Sequence, residues 1–318
     1  MSSVLPKLLG EPEFQSALNE INPKPGLGNL LGIALKYMNR RAGWFRMNFF
    51  EKIQTKFHPS RNLFLARSCA NIPFVGDFRD LDTWYWMAQP GHGDDIVKTI
   101  VEQLLKRDGV YIDVGTNVGM IISRVAKKLP NTQVIGIEPM EPTAKRAAAT
   151  FALNGVRNCT LVNAAVGESN GVLEIKYNPN FTGQTSVHKV EFAEDDHVST
   201  LTVPIFTLDD LIQTMAPGKI SLIKIDVEGH EFAVLSGAQN ALREHEAAIL
   251  FEYNPPIARA AGWTPKQAVD LLRSLRNYDI SVLDPVQGKH PYSDDLDFGD
   301  GIVDLLCEPV TALTQWLP

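Results

Sequence analysis

Residues 110–119 read VYIDVGTNVG. The first half is a β-branched run of the kind that fills a buried strand, and it ends on glycine. Gly115 and Gly119 allow a sharp backbone turn and a close ligand approach, because neither carries a Cβ. MIISRVAKKL follows at helical spacing. Strand, glycine loop and helix in that order open an α/β sheet. In such sheets ligands sit beyond the carboxyl ends of the strands, where strand order reverses.

The alternation extends outward on both sides. IVKTIVEQLLKR precedes as a helix. QVIGIEP is a strand stopped by proline, AKRAAATFALNG a helix that stops at Gly155, and CTLVNAAVG a strand. LDDLIQTM is a short helix behind Thr207, an N-cap residue type. SLIKIDVEG, EFAVLSGAQNALRE and AAILFEYNPP read strand, helix, strand. Nearly continuous apolar strands between helices predict a mainly parallel, doubly wound sheet covered on both faces. GVLEIKY and STLTVPIF alternate instead, which predicts a β-hairpin inserted between the third and fourth parallel strands, with the polar loop 178–199 between its arms. DISVLD and GIVDLLCEP predict an antiparallel C-terminal edge.

Residues 1–80 show no strong strand signal, and 27–57 read as one or two helices. The chain therefore divides into a helical N-terminal extension, 1–80, and an α/β domain, 81–318. The extension carries a net charge of +5 and the rest −12. An acidic body argues against a nucleic-acid partner, since phosphates need a basic surface. The basic, aromatic extension suits a cap packed on the body, or a face that meets an anionic membrane surface. Cys69, Cys159 and Cys307 show neither metal-ligand nor disulfide spacing, which fits a reducing compartment. No apolar run approaches the roughly 20 residues of a membrane span, and residues 1–14 hold no continuous signal-peptide core. A cytoplasmic location is the expectation.

The glycine spacing bears on the ligand. Dinucleotide sites use G-x-G-x-x-G. Here the pattern is G-x-x-x-G behind Asp113. A carboxylate there is awkward for a pyrophosphate and suits an ammonium, as on the amino-acid end of S-adenosylmethionine. Glu138, 23 residues after Gly115, ends the second strand, where a carboxylate accepts the hydroxyls of an adenosine ribose. NAD shares that ribose, so Glu138 alone does not discriminate. Asn163 and Ala164, at the end of the third strand, are placed near the adenine by topology.

The fourth strand ends in 222-LIKIDVEGHE-231. Asp226 and Glu228 differ by two and point to one side. Glu228 and Glu231 also suit a helix start. Asp226, Glu228 and His230 alternate as metal ligands can, but the sequence offers no second cluster, so no metal is expected. The rim of an active site accounts for all of these residues.

Together DVGTNVG, IEP, TLDDL, KIDVEGHE and FEYNP resemble the FkbM-type methyltransferases over roughly residues 96–255. The resemblance implies a Rossmann-like class I methyltransferase fold that uses S-adenosylmethionine. It implies O-methylation of a small-molecule or glycan acceptor: a sugar, glycan or secondary-metabolite hydroxyl. It assigns Gly115, Asn117 and Gly119 to the donor loop and Glu138 to the ribose, and it turns 226–231 toward the methyl-transfer site. One departure stands out. Family members often carry a Gly-x-x-Glu-like stretch where this chain has 90-PGHGDD-95, with His92, Asp94 and Asp95.

Methyl transfer to an alcohol needs a base in reach of the hydroxyl. Asp226 is the first candidate, then His230, then His92. Glu228 orients the acceptor or caps the helix. Glu252 and Asn254 are placed to bond acceptor hydroxyls. The loop 178–199 is long enough to cover the acceptor, and His188 within it reads as a surface residue. An NAD(P)-dependent oxidoreductase and a methyltransferase-like binding protein are the alternatives.

Overall fold

The computed structural model describes residues 6–23, 62–179, 182, 198–215 and 218–310. The elements begin with β1 (Lys7–Leu9), α1 (Glu11–Ile21), the pair β2 (Leu63–Arg67) and β3 (Pro73–Asp77), α2 (Leu81–Ala88) and α3 (Asp94–Arg107). Next come β4 (Val110–Val114), α4 (Met120–Lys128), β5 (Val134–Ile137), α5 (Glu141–Asn154) and β6 (Cys159–Asn163). The middle holds β7 (Ala165–Val166), β8 (Gly171–Tyr177), β9 (Ser199–Phe206), α6 (Leu208–Met215) and β10 (Ile220–Ile225). After α7 (Glu231–Ser236) and α8 (Gln239–Glu244) follow β11 (Ala248–Tyr253), α9 (Pro255–Ala261) and α10 (Pro265–Leu275). Three strands close the chain: β12 (Tyr278–Asp284), β13 (Gly288–Pro291) and β14 (Val303–Pro309).

Nine strands form the main sheet in the order β1-β6-β5-β4-β10-β11-β14-β12-β13. β6, β5, β4, β10 and β11 run parallel. Order reverses between β4 and β10, so the crevice opens at their carboxyl ends. β14 runs antiparallel to both β11 and β12. This is the Rossmann-like, doubly wound, mainly parallel sheet with an antiparallel C-terminal edge expected from the sequence. β4 is buried along its whole length because both faces are covered: Ile112 and Val114 join the core on one face, Tyr111 the core on the other. β8 and β9 form the inserted hairpin, and β7 adds to β9 in a separate sheet.

Two readings change in detail. EFAVLSGAQNALRE is broken into α7 and α8. A Cβ on Gly237 would stand 2.0 Å from the Gly167 carbonyl oxygen, so the break brings the β7 loop against the helix. The extension is also less helical than expected. α1 is there, but β1 pairs with β6 at the sheet edge, and β2 and β3 form a hairpin over Phe64, Phe74, Phe78 and Trp84. The expected helices of 27–57 lie outside the described residues.

The hairpin is bound to the body. Arg146 Nε donates to the Val75 carbonyl at 3.2 Å, Asn154 Nδ2 to that of Pro73 at 2.7 Å, and Arg146 Nη1 reaches the buried Asp80 at 2.8 Å. Residues 62–80 are thus continuous in packing with the α/β body. Among the described residues no helix is long and apolar enough to cross a membrane.

Candidate active site

A cavity of about 380 Å³ lies at the carboxyl ends of β4, β5, β10 and β11, and residues of α2 and Thr182 line it as well. It falls within the usual size of small-ligand sites.

The glycine loop forms one wall. Asn117 sits in the left-handed region with φ 49°, which turns its N–H to donate to Glu138 Oε2 at 3.0 Å. The Met140 N–H donates to Glu138 Oε1 at 3.0 Å. Each carboxylate oxygen keeps acceptor capacity for a further donor. Burial pushes the Glu138 carboxyl up to about 7, against the pull of those two N–H groups. Asn163 lies behind Glu138 and outside the cavity lining. Its Nδ2 donates to the carbonyls of Glu138 and Pro139 at 2.9 and 3.0 Å, so it sets the loop that carries Glu138. Ala164 lines the cavity instead.

The glycines make the sharp turn expected of them, and the packing around them adds a second reason for glycine. Gly115 has φ +88°, and a Cβ there would lie 1.8 Å from the Asp226 carbonyl oxygen. Gly119 has φ +79°, and its Cβ would lie 2.5 Å from the Phe151 ring. Both are glycine because the turn is left-handed and the protein itself fills the space. Gly115 lines the cavity and Gly119 does not.

The adjoining wall is the turn after β10. Asp226 N–H donates to the Val114 carbonyl at 3.0 Å, so the turn starts in register with β4. Glu228 takes φ 53° and Gly229 φ 97°. Glu231 Oε1 closes the turn by accepting from the N–H groups of Val227 and Gly229 at 3.0 and 3.1 Å, and Trp263 Nε1 donates to the Gly229 carbonyl at 2.8 Å. Glu231 is buried and is raised to about 7 by that burial. The third carboxylate of DVEGHE is a structural clamp for the other two.

Lys224 stands beneath them. Its ammonium lies 2.9 Å from Asp226 Oδ2 and 3.6 Å from Asp113 Oδ1. Burial opposes its charge, but Asp226 and Asp113 outweigh burial and hold it protonated. Burial raises Asp113 to about 6 while Lys224 pulls the other way. Asp226, Glu228 and Glu252 each offer a carboxylate oxygen, all within 4.8 Å of one another. Burial and then the nearby Asp226 push Glu228 and Glu252 well above the usual carboxylate range. The set has a geometry that could hold a cation; the sequence lacked this second source of ligands because β11 delivers Glu252 from a distance.

His230 and His92 both line the cavity. Burial, and then Arg124, lower His92. Asp94 pairs with Arg124, and both Asp94 and Asp95 lie outside the cavity lining. Asn254 occupies the N-cap of α9 and also lies outside it. His188 lies outside the described residues.

The sequence reading missed Asp82, Tyr85, Trp86, Thr182 and Lys224, all of which line the cavity. Lys224 had a signal: a lysine within an apolar strand requires buried carboxylate partners. The α2 residues follow an Asp-x-x-Thr start with no long apolar period behind it.

Residues 113–280 match the methyltransferase FkbM domain. The hexuronic acid methyltransferase AglP of Haloferax volcanii is 26% identical over 192 residues, covering 60% of this chain and 72% of that protein. Methyltransferase sdnD of Sordaria araneosa is 24% identical over 199 residues, covering 54% and 73%. Among solved structures, methyltransferase FkbM from Methylobacillus flagellatus KT is similar with a TM-score of 0.38 at 17% identity; the similarity covers 63% of this chain and 43% of that one. The domain match runs from the glycine loop into β12, more than half of the 318 residues, and the chain belongs to the FkbM methyltransferase family.

Proposed function

We propose that the protein transfers the methyl group of S-adenosylmethionine to a hydroxyl of a sugar, glycan or related polyhydroxylated metabolite. The observation that carries this reading is that Glu138 and Asp226, at the ends of the two strands that flank β4, line one cavity at the strand-order reversal. The residues fit the donor. Glu138, fixed by two backbone N–H groups, would hold the ribose hydroxyls. Ala164, Leu173 and Ile175 offer an apolar surface to the adenine. When bound, S-adenosylmethionine supplies a methyl group already activated by its sulfonium.

The protein then has two tasks. One is alignment, which the rigid turn 226–230 provides through its clamp at Glu231. The other is removal of the acceptor proton. Asp226 is the proposed base. Glu228 and Glu252 stand beside it, each with a carboxylate oxygen within 4.8 Å of the others. Lys224 keeps one oxygen of Asp226 fixed, and the other would take the acceptor proton. His230 and His92 border the same space and are second candidates for the base.

The test is release of S-adenosylhomocysteine during a screen of neutral sugars, glycans and hydroxylated metabolites. With an acceptor in hand, Asp226→Asn is expected to lower kcat by about 10²–10⁴-fold. Its affinity for S-adenosylhomocysteine should stay within a few-fold of wild type. Turnover at the wild-type rate in that variant removes Asp226 from the role.

A further inference from the structure

We propose that a second cavity, beyond the end of β11, holds a neutral sugar ring next to the one that is methylated, which makes the acceptor an oligosaccharide. The assignment rests on the sugar-hydroxyl reading above and deepens it.

The cavity measures about 340 Å³, within the usual size of small-ligand sites. The start of α9, the start of α10 and the loop between β13 and β14 build it. Its walls are fixed locally. Pro255 and Pro265 open the two helices, and Thr264 with Gln267 closes a capping box at α10. Arg259 Nη2 donates to Asp300 Oδ1 at 2.6 Å, which ties the loop to α9.

Two tyrosines carry the assignment. Tyr253 is 6% exposed and Tyr292 9%, yet both line the cavity, and neither hydroxyl has a hydrogen-bond partner among the described residues. A tyrosine hydroxyl buried to this degree usually finds one. A sugar ring meets the need, because its C–H face packs on aromatic carbon while its hydroxyls bond the tyrosines. Phe298 packs edge-on against Tyr253 at 5.3 Å between ring centres and extends the apolar wall. Asp294 stands 3.5 Å from Lys266 and 3.6 Å from Arg273, beyond good hydrogen-bond length, so its carboxylate keeps capacity for hydroxyl donors. The charged lining residues balance, Arg259 and Lys266 against Asp294 and Asp297. A balanced lining has no net attraction for a phosphate or a uronate, which marks the ring as neutral.

The cavity adjoins the transfer site through β11 and Trp263. Successive strand residues take opposite faces, so Glu252 lines the first cavity and Tyr253 the second. A saccharide with one ring at Asp226 reaches the second cavity by crossing the end of β11 at Asn254. The Asn254 side chain makes no hydrogen bond among the described residues, so its amide is available to the crossing chain. Trp263 packs edge-on against Tyr253 at 5.5 Å between ring centres and donates to the Gly229 carbonyl at 2.8 Å. One indole thus joins the floor of this cavity to the turn that carries Asp226 and Glu228.

The experiment is methyl transfer from labelled S-adenosylmethionine to a printed array of neutral mono-, di- and trisaccharides, with the labelled sugars then measured in solution on wild type and Tyr253→Phe/Tyr292→Phe. The double substitution removes two hydroxyls and keeps both rings. Wild type should prefer a di- or trisaccharide to its methylated unit alone by at least about tenfold in kcat/KM, the worth of two hydrogen bonds. The variant should bring that ratio to within about twofold, through the KM of the longer acceptor rather than its kcat. A structural defect would weaken both acceptors and leave the ratio intact. The wild-type ratio retained in the variant, or no wild-type preference for the longer acceptor, overturns the assignment while the sugar reading stands. Transfer to none of the sugars overturns the sugar reading, and the second ring with it.

Discussion

The Lys224 ammonium lies 2.9 Å from Asp226 Oδ2 and stands 3.6 Å from Asp113 Oδ1. One cation thereby links the ends of β10 and β4, the two strands between which sheet order reverses. Lys224→Met leaves the buried Asp113 without its counter-charge. The expected cost is about 3–5 kcal/mol near pH 8, read from urea unfolding. The deficit should shrink as pH falls through the Asp113 titration, because a protonated carboxyl needs no counter-ion.

Gly115→Ala tests the contact between the glycine loop and the turn after β10. The new Cβ meets the Asp226 carbonyl oxygen, and the backbone is left-handed as well. Overpacking and strain together should cost about 2–4 kcal/mol. A variant that still folds should have kcat reduced by about 100-fold, since Asp226 must move to admit the methyl. An unchanged melting temperature would contradict the packing account of this glycine.

Glu231→Ala opens the turn that Glu231 closes. The buried N–H of Gly229 and the part-buried N–H of Val227 lose their acceptor, at about 1–3 kcal/mol for the buried one and less for the other. Affinity for S-adenosylhomocysteine should hold while kcat falls. Parallel loss of both would place Glu231 in the donor site instead.

Glu138 makes stability depend on pH. Its folded-state value is raised to about 7 from an ordinary carboxylate value of 4.5, so between those values the folded chain binds the proton more tightly than the unfolded one. Stability from this group therefore falls as pH rises from about 4.5 to about 7, by about 3 kcal/mol in all. Glu138→Gln should flatten that part of the profile, as measured by unfolding midpoints between pH 4 and 8. A wild-type profile that rises over this window relative to the variant would reverse the sign and refute the burial argument.

Much of this architecture is legible in the chain because its strands are two-faced. A strand buried on both faces reads as an apolar run, and β4, β5, β10 and β11 do. GVLEIKY and STLTVPIF announce the hairpin because they alternate, and the observed β8 and β9 keep those bounds. The hairpin of β2 and β3 is five residues per strand and is held by aromatic contacts from α2, so its pattern is too short to register. Glu138, Asp226 and Glu228 follow from their places at strand ends. Asp82 and Thr182 do not, because their roles come from a buried polar network joining segments about a hundred residues apart. Gly115 was visible as a turn, but the reason it must be glycine lies in Asp226, far along the sequence.

The central claim is that this crevice holds an S-adenosyl donor anchored by Glu138. Calorimetric titration with S-adenosylmethionine, S-adenosylhomocysteine and NAD, on wild type and Glu138→Ala, tests it most directly. The account predicts that wild type binds both S-adenosyl ligands and not NAD, with a loss of at least about tenfold in the variant. Binding of NAD alone, or S-adenosyl binding indifferent to Glu138, would contradict it.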